Sequence, residues 1–158
     1  PKTIAQAAGG APVHVAHFMS VCPEIGSQMT FSKPDGSVAF DDFHRWAQPP
    51  EQMIERYFNL AFNAVDDSHY RIDAVLYDLS CDIEAKTVRI IIKVTIEDED
   101  DSDMDWSQVM DEKVAIKTVS AAAFAEGATQ ATKQVVDKVA ARLRKIIDAD
   151  KNRQVERK

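Results

Sequence analysis

Residues 70–96, YRIDAVLYDLSCDIEAKTVRIIIKVTI, constrain the fold more than any other stretch of this chain. In the second half, Val88, Ile90, Ile92, Val94 and Ile96 alternate with Arg89, Lys93, Thr95 and Glu97, the period-two pattern of a strand with one buried face. In the first half, Val75, Tyr77, Leu79, Cys81 and Ile83 share one face, while Ile72, Ala74 and Leu76 make the opposite face apolar at one end. Only Glu84-Ala85-Lys86-Thr87 separates the two runs, so they pair as an antiparallel hairpin. Such a hairpin has a wide apolar face, and the rest of the chain must cover it.

Two helical patterns can supply that cover. Pro49-Pro50-Glu51 is a helix start, because proline gives up no useful donor in a first turn and Glu51 meets the positive end of the helix dipole. Met53, Ile54, Tyr57, Phe58, Ala61 and Phe62 then recur at three- and four-residue spacing. The second helix is expected from Ala121 to about Asp148, with Ser120 as N-cap and Phe124, Ala128, Ala131, Val135, Val139, Leu143 and Ile146 on one stripe. A third strand, about 108–119, places Met110, Val114 and Ile116 on one side. Ahead of the hairpin, Val13, Val15 and His17 alternate with His14, Ala16 and Phe18, and Met29-Thr30-Phe31 continues the strand character. Lys33-Pro34-Asp35-Gly36 is a turn leading into a short strand over 37–40. The order predicts an α+β fold, a mainly antiparallel sheet with two principal helices packed on one face. Residues 1–11 read as a flexible leader, 12–148 as a single domain, and 149–158 as a polar, frayed tail.

The composition excludes several functions. No run approaches the roughly 20 apolar residues of a membrane helix. The net charge is -7, yet nine Lys/Arg stand against four Asp/Glu from Lys133 to Lys158. Cations near a helix C-terminus complement its dipole, and no aromatic residue is interleaved among Arg142, Arg144 and Lys145, so nucleic-acid binding is not expected. Glu97 to Asp105 carries seven carboxylates in nine residues. Read as a calcium loop it has Asp103 where glycine is required and Val109 where the bidentate glutamate belongs, so it is a solvated connector. His14 and His17 point to opposite faces of a strand, and His44 and His69 have no partner at a recognised ligand spacing. No metal or cofactor is therefore expected. Nor does any serine occupy a nucleophile frame, and no ionisable cluster suggests an enzyme. Cys22 and Cys81 allow one disulfide or two thiols, and Cys22 lacks the cationic and apolar segments that precede a lipidated cysteine.

The junction 38–54 is the remaining candidate site. Trp46 is either a wedge between helix and sheet or an exposed anchor for a partner. Phe40, Phe43 and Trp46 recur every third residue and, with Arg45, are the candidate partner contacts.

The run Phe43-His44-Arg45-Trp46-Ala47-Gln48-Pro49-Pro50-Glu51-Gln52-Met53-Ile54 resembles the tryptophan-acidic-proline helix start of the ABC-type transport auxiliary lipoproteins. The loop Pro23-Glu24-Ile25, the strand Gln28-Met29-Thr30-Phe31 and the alanine-rich helix after Ala121-Ala122-Ala123-Phe124 fit the same pattern, over about residues 12–147. The resemblance implies a non-enzymatic periplasmic auxiliary component of a lipid transport system, without cofactor. Its implied partners are a mammalian-cell-entry-type envelope protein, ABC transporter components and further copies of itself. It also implies an outer-membrane lipid anchor carried by the precursor, with residues 1–11 as tether remnant and the domain as a docking or tunnel-extending module. A free lipid- or small-ligand-binding module of the envelope is the alternative, and it requires a dry pocket between helices and sheet.

Overall fold

A computed structural model describes residues 12–21 and 26–157. Its elements are β1 (His14–Ser20), β2 (Gln28–Ser32), β3 (Val38–Arg45), α1 (Pro50–Phe62), β4 (Tyr70–Asp82), β5 (Thr87–Asp98), β6 (Trp106–Ala115) and α2 (Ala121–Glu156). The sequence-predicted leader 1–11, the Pro23-Glu24-Ile25 loop and Cys22 lie outside the described residues.

The expected hairpin is the centre of the sheet. β4 pairs antiparallel with β5 from Tyr70↔Asp98 to Asp82↔Thr87, and β5 pairs antiparallel with β6 from Thr87↔Ala115 to Ile96↔Trp106. The path β3-β2-β4-β5-β6 is completed by β1, which also pairs with β4. Two pairings are parallel. β1 runs beside Arg71–Leu76 and β2 beside Cys81 and Asp82, so two short strands lie end to end along one edge of β4. Val21 N–H donating to the Leu76 carbonyl at 3.0 Å and Ile83 N–H donating to the Ser32 carbonyl at 3.2 Å extend the two junctions. The fold is thus α+β, with a mixed sheet that is mainly antiparallel.

Bulges change which residues face inward. In β4 the register shifts between Leu76 and Asp78, so Tyr70, Ile72, Ala74 and Leu76 are buried before the shift and Leu79 and Cys81 after it. The single face expected through Val75, Tyr77 and Leu79 is therefore broken, and Tyr77 is left exposed. A second shift between Val15 and Phe18 buries Val13, Val15 and Phe18, not His17.

Both helices cover the same face. Phe58 of α1 is fully buried and meets Phe18 edge-on, ring centroids 4.9 Å apart. α2 buries Phe124, Ala131, Val135, Val136, Val139 and Leu143, among others, against β5 and β6. Its start is capped as expected, Ala123 N–H donating to Ser120 Oγ at 3.1 Å. Its end is not where the sequence placed it. The helix runs through the expected tail to Glu156, because Asp150 accepts from the Tyr70 hydroxyl at 3.1 Å and Arg153 pairs with Asp101 at 2.6 Å.

Candidate functional site

The β2–β3 pair presents an irregular loop. Thr30↔Phe40 and Gln28↔Arg45 are both in register, so β3 spends extra residues between pairings that β2 spans in two steps. The surplus bulges outward, and Asp41 closes it. One Asp41 oxygen accepts from Phe43 N–H at 2.8 Å and His44 N–H at 2.9 Å, and the other contacts His44 Nδ1 at 2.8 Å. The Phe43 and His44 amides hold the Asp41 carboxyl below its ordinary range. At the tip, Phe43 is 93% exposed.

The four sequence-named contact residues are thereby separated. Phe40, opposite Thr30, sits on the sheet face away from the helices and edges a hollow of about 240 Å³ between the ends of β1 and β2, with Val38, Tyr77 and Asp78. Arg45, the last residue of β3, is exposed. Trp46 turns inward: its N–H donates to the Ser27 carbonyl at 2.8 Å, it is 7% exposed, and its ring meets Phe124 edge-on at 4.9 Å. Trp46 is the wedge that joins the β3 end to α2.

Beside the wedge lies a groove of about 350 Å³ between α1 and α2. Met29, Leu79 and Trp46 line it from the sheet side, Met53, Ile54 and Tyr57 from α1, and Ala125, Ala128, Thr129 and Thr132 from α2. The groove exists because α2 offers small side chains where α1 offers long ones. Arg45 is the one charged residue that lines it among the described residues.

A second convergence was not legible in the sequence. His69 from the bend before β4, Asp98 from the end of β5 and Asp150 from α2 bring one ring nitrogen and two carboxylate oxygens within 4.8 Å of one another. The next residue to His69, Tyr70, is buried and donates to Asp150; burial, then that hydrogen bond, push its phenol well above the ordinary range. The wide separation of these residues along the chain hides the grouping from any spacing rule.

No family model matches this chain, and no curated protein matches it in sequence. Solved structures do share its fold. Protein XCC0632 from Xanthomonas campestris, of the family DUF330, superimposes with a TM-score of 0.77 at 18% identity, over 90% of this chain and 88% of that one. An uncharacterized protein superimposes with a TM-score of 0.72 at 9% identity, over 83% of this chain and 90% of its own.

Proposed function

We propose that this chain is a non-enzymatic docking module of the bacterial cell envelope, an auxiliary component of an ABC-type, mammalian-cell-entry-linked lipid transport system. The observation that carries this reading is the β3 loop, where a large aromatic is held out in water by a carboxylate that stitches the backbone beneath it. An isolated phenylalanine gains nothing in that position from its own fold, whereas a preorganised exposed aromatic suits a partner's pocket. The resemblance of residues 43–54 to the auxiliary lipoproteins supports the reading, and the fold shared with XCC0632 is consistent with it. On this reading the module works in the periplasm, tethered to the outer membrane through a lipidated precursor. It meets the mammalian-cell-entry-type protein through Phe43 and Arg45, while Trp46 keeps the loop in place.

The experiment is a binding titration against the periplasmic part of such a partner. Phe43→Ala is expected to weaken binding by about 10-fold or more with an unchanged melting temperature, since its side chain makes little contact with its own chain. Trp46→Ala is expected to lose roughly 3–5 kcal/mol of stability, the range for a buried aromatic. Unaltered affinity in both Phe43→Ala and Arg45→Ala would sink the docking role.

The α1–α2 groove favours a second reading, a site for an acyl chain with its acidic end at Arg45. Lipid carried through purification, seen by native mass spectrometry and lost in Thr129→Trp, would establish it. A lipid-free spectrum of the folded chain would reject it.

A further inference from the structure

At the end of α2 remote from Trp46, the fold assembles donors that the docking reading does not use. His69 precedes β4, Asp98 ends β5 directly opposite Tyr70, and Asp150 lies near the end of α2. Each is positioned from outside the cluster. The His69 ring packs against Tyr70, centroids 3.9 Å apart and planes tilted by 44°, and the His69 carbonyl accepts from Glu99 N–H at 2.9 Å. Asp98 is held in the central ladder, its own N–H donating to Asp105 at 2.9 Å. Asp150 accepts from the Tyr70 hydroxyl.

The charges at this point do not balance. Asp98 is 4% exposed, one of its carboxylate oxygens accepts from Asp100 N–H at 3.0 Å, and the other has no donor among the described residues. No Lys or Arg pairs with it there. Arg153, at the same end of α2, is engaged by Asp101. A nearly buried carboxylate set against a second one calls for a counter-charge.

We propose that His69, Asp98 and Asp150 form a binding site for a divalent transition-metal cation, best matched by zinc, that ties the end of α2 to the β4–β5 hairpin. The donor set decides the metal class. Imidazole with carboxylates suits zinc, whereas calcium and magnesium prefer oxygen throughout. Zinc ligand bonds of about 2.0–2.2 Å require the three donors to draw together by roughly an ångström, and Asp150, partly buried, accepts at Oδ2 from the Tyr70 hydroxyl and from Gln154 Nε2 at 3.3 Å. The Tyr70 hydroxyl orients Asp150 from behind, the outer-shell contact common at such centres. Water completes the coordination, as three protein ligands leave a position open.

The test is calorimetric titration of the chelator-stripped full chain with zinc chloride near neutral pH, in parallel with calcium chloride. One saturable equivalent of zinc is expected, weakened at least about 10-fold in His69→Gln and in Asp150→Asn. Zinc at a hundredfold excess over its Kd should raise Tm by roughly 5–10 °C in the parent chain and not in the variants. Asp98→Asn risks the fold itself, so the two partly exposed positions carry the test, with circular dichroism confirming that both variants fold. Absence of saturable zinc binding would overturn the site. Undiminished binding in both variants would also overturn it, and would assign the metal to His14, His17 or His44. Equal affinity for calcium would overturn the choice of a transition metal. None of these outcomes depends on the partner titration that tests the docking role.

Discussion

Gly127 sets how close α2 lies to the sheet. A Cβ added there would stand 2.6 Å from Val88 Cγ2 and 3.1 Å from Ile116 Cγ2, and Val88 is fully buried near the turn end of the hairpin. Alanine would gain about 1 kcal/mol of helix propensity, but overpacking a stiff β-branched neighbour costs about 1–3 kcal/mol. Gly127→Ala is therefore expected to lower the denaturant midpoint, and Val88→Ala in the same chain to recover part of the loss. A raised midpoint in the single variant would mean that the helix can lift at no cost. At Asp41 the sign follows from the direction of its shift. Its folded-state value lies below the ordinary 3.8, so the stability it lends the β3 loop is complete above the unfolded value and is lost as pH falls through the folded one. The Phe43 and His44 amide resonances should titrate together with a midpoint below 3.8, and the transition should vanish in Asp41→Asn. A midpoint at or above 3.8 would contradict the hydrogen-bond account.

At the scale of elements, the end of α2 is the clearest departure from local expectation. Lys151 to Glu156 is polar apart from Val155, so periodicity gave no reason to continue the helix. Two long-range contacts continue it, Tyr70 to Asp150 and Arg153 to Asp101. A chain stopped after Asp148 loses both, and is expected to melt several degrees lower, on the order of 1–2 kcal/mol for a buried-end hydrogen bond and an exposed ion pair together. An unchanged Tm would show the last turns to be dispensable. The bulge in β4 escaped detection for a different reason. In β4 both phases are apolar before Asp78, with Ile72, Ala74 and Leu76 on one and Val75 and Tyr77 on the other, so the pattern cannot report where it switches. β5 was legible throughout because its outward positions are mostly charged or hydroxylated. Likewise Phe40, Phe43 and Trp46 were grouped by spacing alone, and it is the Asp41 loop, formed by side chain to backbone hydrogen bonds, that sends them in different directions.

Across the whole molecule, pairings differ sharply in how much chain they enclose. A short turn closes β4 on β5, whereas β1 and β2 reach β4 only after the intervening α1 has been laid down. The most protected amides in native-state hydrogen exchange are accordingly expected in the β4–β5 ladder, with β1 and β2 opening at lower free energy. Equal protection in all strands would argue for a single cooperative sheet. The divided edge of β4 also bears on how the chain is made. Synthesis from the N-terminus delivers β1, β2, β3 and α1 before the strand that receives two of them exists, so β2 can pair with β3 and Phe18 can meet Phe58, but neither β1 nor β2 has its place beside β4 until Asp82 has emerged. During that interval the strand edges of β1 and β2 that β4 will cover stand unpaired. A holding factor acting on residues 12–62, and only until the central hairpin is complete, is what this topology asks of the cell.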